Sequence, residues 1–387
     1  MAHFRKRGKK WYFQIDLGID PTTGKHKHKS KGGFTTKKEA QIAAAQMEKE
    51  LFENTYIEEK DILFQDFAKE WLELYSETVK ISSIRAREKQ MNVLIKFLGN
   101  RKMKEIGRKE YQRMLNDLNK IYAFNTMDGI HTCGRIIFKK AIELEVIKNN
   151  PLEFVVLPKK QQTVEELEEQ KNEIKYLEKE ELALFLNTAK ETGLESDYVT
   201  FSLLAYTGIR VGELLALKWS DVDFEENTIS ITKTMYNPNN ITGKYELLTP
   251  KTKGSIRKIK LDEYIIKTLK KHNLGQKQTK LMLGDNYIDS GFIITKISGE
   301  AEFVKTIQNR LKRLLKLTKI NKKITPHSFR HTHTSLLIEA GVGIKEIQQR
   351  LGHTDIETTM NIYAHMTKNM EEKASQKFSE LMRSLRV

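Results

Sequence analysis

Cysteine is almost missing from this sequence: Cys133 is the single thiol in 387 residues. One thiol can close neither an intrachain disulfide nor a multi-cysteine zinc site, and such usage fits a reducing cytoplasm. No run of about 18 apolar residues occurs, so a membrane-spanning helix is excluded. The first ten residues are basic, but no long apolar stretch follows them, and a secretory signal is not expected. Internal repeats and low-complexity tracts are also missing. Acidic residues are in deficit: 51 Asp and Glu stand against 67 Lys and Arg, a net charge of +16. An excess of that size favours a polyanionic partner, of which nucleic acid is the usual one. What is present in ordinary amount is hydrophobic material, 39% of residues, enough for two or three domain cores at this length.

The charge is unevenly spread. The first fifty residues hold twelve Lys and Arg against five Asp and Glu. Within them, Trp11 to Leu17 reads as a strand rich in aromatic and β-branched residues, and Asp20-Pro21-Thr22-Thr23-Gly24 as a turn. Lys25, Lys27, Lys29 and Lys31 then recur at every second position, so at strand spacing they share one face. Lysines guarding a solvated sheet edge are the plain alternative. The neighbouring aromatic strand and the overall charge favour DNA contact instead. Thr36 and Glu39 form a capping box that opens a helix to about Leu51. Residues 1–55 thus read as a small basic domain of sheet plus one helix.

Residues 61–158 read as all helical. Phe64, Phe67, Trp71, Leu72 and Tyr75 recur at helical spacing, as do Met91, Leu94, Ile95 and Leu98 before Gly99. Ser82 or Ser83 can cap the second helix, later helices are expected over 109–118 and 125–144, and Pro151 and Pro158 close the region. These apolar stripes read as core. Residues 159–175 form a linker inside an acidic stretch, since 161–181 contains eight Glu and three Lys, and this stretch runs into a helix expected over 176–182. Residues 176–387 make the last domain.

Four segments of that domain carry the chemistry. In Tyr206-Thr207-Gly208-Ile209-Arg210-Val211-Gly212-Glu213-Leu214, an apolar helix should stop at Gly208, leaving Arg210 at a helix-to-helix corner with Glu213 to hold it. By itself such a pair is usually a surface salt bridge. Lys251 and Lys253 lie between strands expected over 228–232 and 257–261, with Gly254-Ser255 as a hairpin turn. Alone, a lysine there is a solvated charge. In Thr325-Pro326-His327-Ser328-Phe329-Arg330-His331-Thr332-His333, Thr325 can cap a helix with Pro326 as its first residue. His327 and Arg330 then share a face near the helix's positive end, which suits an anion. His327, His331 and His333 have a spacing that zinc could use, but no cysteine or adjacent acid completes the set. In the fourth segment, Gly352 ends a short helix from Ile344, and Thr354 with Glu357 caps another. Tyr363 shares a face of that helix with Ile356 and Met360, which alone would make it a core tyrosine.

Together these segments assemble what phosphoryl transfer at a DNA diester needs. Two arginines can clamp the non-bridging oxygens bidentately, and histidines can donate hydrogen bonds or move protons. A tyrosine hydroxyl can form a covalent intermediate, and a lysine can protonate the leaving 5′-oxygen. The order Thr-Gly-Ile-Arg-x-x-Glu, hairpin Lys, His-x-x-Arg, Leu-Gly-His and Tyr ten residues later resembles the tyrosine recombinase family, over about residues 176–366. The helical region resembles that family's core-DNA-binding domain more loosely, and the first fifty residues resemble the arm-site-binding domain of the integrase branch.

The resemblance implies a multidomain α+β fold: a small N-terminal sheet-plus-helix domain, an all-helical core-binding domain, and a mainly α catalytic domain with a small antiparallel sheet. It implies that Arg210 and Arg330 clamp the scissile phosphate, that His327 is the general acid/base, and that His353 supports the phosphate. Lys253 becomes the general acid at the 5′-oxygen, with Lys251 two residues away on the same turn, and Tyr363 the nucleophile that forms a 3′-phosphotyrosyl link. The implied partners are double-stranded DNA at core and arm-type sites, three further copies of the chain in a tetramer, and a directionality factor or DNA-bending protein. No metal, nucleotide or membrane is implied, and the setting is the cytoplasm of a bacterial host. Residues 368–387 suit a final helix, which either packs within its own chain or, as the resemblance implies, docks on a neighbouring protomer. Two other readings share parts of the pattern: a DNA-relaxing enzyme of the type IB topoisomerase kind, and a non-catalytic DNA-binding regulator. The basic N-terminal domain argues against the first, and the complete set of reactive residues against the second.

Overall fold

The computed structural model describes residues 2–19, 24–53, 56, 61–159, 176–250 and 253–352, the side chain of Lys253 excepted. The chain separates into two compact units, Met1–Gln162 and Thr163–Val387.

The first unit opens with an antiparallel sheet of β1 (His3–Arg7), β2 (Lys10–Ile19) and β3 (His26–Phe34), in the order β1-β2-β3. One side is covered by α1 (Lys37–Phe52), whose first turn carries the expected capping box: the Thr36 hydroxyl accepts from Glu39 N at 3.2 Å, and Glu39 accepts from Thr35 N and Thr36 N. Phe13 and Ile15 from β2 meet Ala40, Ala44 and Met47 from α1 in a small core. The register then fixes the lysine row. Lys31 stands opposite Phe13 and Lys29 opposite Ile15, so these cations project on the side that α1 covers. The other side presents Arg5, Tyr12 and Gln14 along its strands, and the Tyr12 ring lies flat over Gly32, where a Cβ would fall 1.8 Å from the ring.

Four helices follow: α2 (Phe64–Ser76), α3 (Ile81–Leu98), α4 (Arg108–Leu118) and α5 (Phe124–Glu143). The apolar stripes seen in the sequence are their core, with Phe64, Phe67, Trp71, Leu94, Tyr111, Ile137 and Phe138 all buried. Serine capping of α3 is not what the structure shows. The helix starts at Ile81, Lys80 is the cap, and Ser82 and Ser83 lie inside the first turn. Lys148 Nζ pairs with Glu50 of α1 at 2.5 Å, joining the sheet-and-helix part to the helical part within this unit.

The second unit begins with α6 (Lys179–Thr192), α7 (Asp197–Thr207) and α8 (Val211–Leu215). The helix expected over 176–182 therefore starts three residues later, with Glu178 capping it, and runs ten residues further. A three-stranded antiparallel sheet follows, ordered β4 (Val222–Asp223), β5 (Thr228–Ile231) and β8 (Arg257–Lys260). Strands β5 and β8 pair directly, Ile229 opposite Ile259, but no simple hairpin joins them. A second antiparallel pair intervenes, β6 (Thr234–Tyr236) with β7 (Glu246–Leu248), and the expected turn at Gly254-Ser255 is a 3-10 turn over Lys253–Ser255. Helices α9 (Glu263–Leu283), α10 (Val304–Thr318), α11 (Ser328–Glu339) and α12 (Ile344–Leu351) complete the described part. Phe185, Phe201 and Phe329 pack ring against ring at 5.2–5.5 Å at the centre of the core. Helix α11 starts at Ser328, not at Pro326: the Ser328 hydroxyl accepts from Thr325 N at 3.1 Å, so the cap forms from inside the helix outward.

Candidate active site

Two glycines shape the site. Gly208 ends α7 in the left-handed region, at φ +64°, and a Cβ there would fall 2.6 Å from Leu351 and 2.8 Å from the His333 ring. Gly352 ends α12 the same way, at φ +67°, and a Cβ there would lie 3.0 Å from Gly254 O and 3.1 Å from Ser255 Cα. Both positions need a residue without a side chain, for backbone angle and for space. They bring the Arg210 corner, the Lys253 turn and the end of α12 to one place.

Arg330 locks that meeting point. Its Nη1 donates to Gly208 O at 2.8 Å and its Nη2 to Leu351 O at 2.7 Å, and the side chain is 1% exposed. Burial, then the charge of Arg210, work against its ionised form, and Glu213 partly offsets them. A guanidinium nevertheless stays protonated in proteins, so a positive charge sits here fixed by two carbonyls.

Arg210 caps α8, its Nη1 on Glu213 Oε1 at 2.9 Å, and its side chain remains partly open to solvent. Glu213 is buried and shared: its Oε2 accepts from Arg257 Nη2 at 3.0 Å and from Arg210 N at 3.1 Å. Burial opposes its ionisation, but the charge and hydrogen bond of Arg257, with Arg210, hold the carboxyl below the usual carboxylate range.

His327 immediately precedes α11 with its edge toward solvent, its ring at right angles to His331 and 4.9 Å away. Partial desolvation, then the charges of His331, Arg330 and Arg210, push its pKa below the usual imidazole value. His333 does something else. Its Nδ1 donates to Ala205 O at 2.8 Å, and its Nε2 accepts from Arg350 Nε at 3.2 Å, which fixes a neutral tautomer. Burial, then the charge of Arg350, push its pKa down to about 4. The three histidines therefore do not converge, and among the described residues no group of three His, Cys, Asp or Glu could hold a metal.

Of the residues singled out in the sequence, Arg210, His327 and Arg330 are placed within one electrostatic neighbourhood. The backbone of Lys253 lies on the 3-10 turn beside Gly352. Lys251, His353 and Tyr363 lie outside the described residues, as do Thr354, Glu357 and the helix expected over 368–387. Reading the sequence missed Arg257, Arg350 and the role of His333. A signal for Arg257 was there: it alternates in phase with Ile259 and Leu261, the inward face of β8. In the N-terminal sheet, Lys25, Lys27 and Lys31 are exposed and Lys29 is half-buried, while Arg5, Arg7 and Lys10 are cations that reasoning did not single out.

The second unit is helical with small antiparallel sheets and brings two arginines and a histidine to one glycine-framed corner, and sequence comparison places it. Residues 175–370 match the phage integrase family, 3–51 an arm DNA-binding domain, and 63–119 the N-terminal SAM-like domain of phage integrases. The chain belongs to the phage integrase family, among the tyrosine recombinases. It is 32% identical over 336 residues to the integrase of Staphylococcus phage L54a, covering 84% of this chain and 94% of that one. It is 25% identical to the ICEBs1 integrase of Bacillus subtilis, over 96% and 97% of the two chains. In fold it is similar to the Tn1549 transposon integrase in complex with transposon right end DNA, with a TM-score of 0.65 at 21% identity, over 82% of this chain and 100% of that one. A lambda integrase dimer bound to a core site gives 0.55 at 18% identity, over 93% of both chains.

Proposed function

We propose that this protein is a site-specific recombinase that integrates and excises a mobile element through a 3′-phosphotyrosyl intermediate. The Tyr363 hydroxyl attacks the scissile phosphorus and gives up its proton, His327 serving as base. The bond from phosphorus to the 5′-oxygen breaks, and Lys253 protonates the leaving oxygen. Arg210 and Arg330 hold the non-bridging oxygens and His353 supports them. Attack by the 5′-hydroxyl of the partner strand then reverses the chemistry and releases the tyrosine, so no cofactor is required. Two rounds of this exchange, by a tetramer on two DNA sites, pass through a Holliday junction. Residues 1–55 grip arm-type sites through cations that include Lys25, Lys27, Lys29 and Lys31, with Arg5, Arg7 and Lys10 on other parts of the same small sheet. Residues 61–158 hold the core site, and 176–387 carry the chemistry. A directionality factor or DNA-bending protein assists, in the cytoplasm of a bacterial host.

The observation that carries this reading is the convergence of two arginines 120 positions apart in sequence: Arg330 Nη1 donates at 2.8 Å to Gly208 O, two residues before Arg210. With one buried carboxylate already engaged by Arg257, the corner keeps surplus positive charge, as an anionic phosphate requires. The test is a nicked suicide substrate carrying a core site. The Tyr363→Phe chain should bind it as the wild type does and form no covalent adduct. An adduct at the wild-type level would remove Tyr363 from the mechanism.

A further inference from the structure

Arg257 is a charged residue with a buried side chain that the reaction above does not use. It is 6% exposed, at the start of β8, and all three of its donor positions are engaged in different directions. Nε donates to Arg350 O at 2.8 Å, Nη1 to Ser255 O at 2.9 Å, and Nη2 to Glu213 Oε2 at 3.0 Å. Each acceptor lies just beside a residue assigned to the chemistry. Arg350 is three positions before His353 at the end of α12, Ser255 is two after Lys253 on its turn, and Glu213 binds Arg210 directly through its other oxygen. An independent feature shows the same convergence, since a Cβ on Gly352 would lie only 3.0 Å from Gly254 O and 3.1 Å from Ser255 Cα, tighter than ordinary contact.

We propose that Arg257 is a positioning residue for strand cleavage, a single planar fork that sets the Arg210 corner, the Lys253 turn and the end of α12 in mutual register. The inference rests on the recombinase reading above. Its physical basis is the shape of guanidinium. Three donors in one rigid plane fix three partners relative to one another, which a lysine ammonium on a flexible stem cannot do. A displacement of about 1 Å at a reacting group costs on the order of a hundredfold in rate, so loss of the fork should be felt in the chemical step rather than in DNA binding. Glu213 makes the arrangement testable. Removing the fork leaves a buried carboxylate with one partner fewer, a cost in stability that replacing Glu213 as well should relieve.

The experiment compares Arg257→Lys, Arg257→Gln, Glu213→Gln and the double variant Glu213→Gln/Arg257→Gln, each as full chain. Adduct formation on the suicide substrate is measured in single turnover, affinity for an intact core-site duplex by anisotropy, and thermal unfolding in parallel. Both Arg257 variants should unfold cooperatively above the assay temperature and bind the duplex within about threefold of wild type, while adduct formation falls on the order of a hundredfold. The double variant should regain thermal stability over Arg257→Gln yet cleave no faster than the slower single, because both changes break one unit. Adduct formation within about threefold of wild type in Arg257→Lys would overturn the proposal. So would recovery of cleavage together with stability in the double variant, or loss of cooperative unfolding in both Arg257 variants, which would make Arg257 a folding residue. If the wild-type chain forms no adduct on the same substrate, the recombinase reading falls, and this inference with it.

Discussion

The protein carries cations in two contrasting ways. In the N-terminal domain, Lys25, Lys27 and Lys31 are exposed to solvent, and the hydrogen-bonded side chains of His26 and Asp16 are each more than 40% exposed. At the Gly208–Gly352 corner, Arg330, Arg257 and Glu213 are all at most 6% exposed and bonded in fixed directions. Exposed charges are screened by salt and act through number, whereas buried charges act through geometry and tolerate no substitute. On the proposed recombinase reading this is the difference between holding DNA and breaking it, and experiments can push on it from either end.

The largest effect should come from Arg330. Arg330→Ala removes the proposed charged clamp together with its hydrogen bonds to Gly208 O and Leu351 O. Adduct formation should fall by about a thousandfold and the second unit lose about 2 kcal/mol or more of stability. Arg330→Lys should rescue little, since one ammonium cannot replace the fork. Arg210→Ala sharpens the contrast. That side chain is partly open and Glu213 keeps Arg257, so cleavage should fall by about a hundredfold or more while stability changes by less than about 1 kcal/mol. Equal stability losses in the two alanine variants, followed by thermal unfolding, would erase the distinction between them.

A smaller effect concerns pH. His333 is held neutral in the fold with its pKa pushed down to about 4, against about 6.5 when unfolded. The unfolded chain therefore binds the extra proton first. Stability is complete above about pH 6.5 and is lost as pH falls toward 4, by up to about 3 kcal/mol from this residue. Protonation also removes the lone pair that accepts from Arg350 Nε. Denaturant melts from pH 7.5 to 4.5 should show the slope, and His333→Gln should flatten it. An unchanged slope in that variant would mean that other groups carry the acid sensitivity.

The smallest effects belong to the N-terminal cations. Single alanine substitutions at Lys27, Lys31 or Arg5 should each weaken DNA binding almost equally for all sequences and lower the salt slope of log K by about one. Removing residues 1–55 should leave cleavage of a short core site largely intact and weaken binding to a long attachment site. Anisotropy across a salt series measures both. An effect of a single lysine that survives at high salt would show that the sheet too works by fixed geometry.

Much of the corner could be read from the sequence because its signals are local. Gly208 and Gly352 each end a helix where a left-handed residue is needed, and Glu213 stands one turn beyond Arg210. The capping box at Thr36 is equally local. Other features depend on neighbours distant in sequence. Alternation placed the four lysines on one face, but only the register of β3 against Phe13 and Ile15 says that α1 covers that side. The pair of β6 and β7 has three residues per strand, too few for a periodic signal, and so Gly254-Ser255 looked like the turn of a simple hairpin. Arg257 kept its inward parity, yet a charged residue on a buried face explains itself only once Glu213 and the carbonyl of Arg350 are seen opposite it.

Cys133 has a practical consequence. It is fully buried in the helical core, its Sγ donates to Arg87 O at 3.7 Å, and burial pushes its thiol up to about 12. Thiol reagents attack the thiolate, so this residue is silent toward maleimides in the native state. Because it is the only cysteine in the chain, a single cysteine introduced at an exposed position of either unit would be the one site a fluorophore can reach, and native protein could be tagged for single-molecule work without first removing its own thiol.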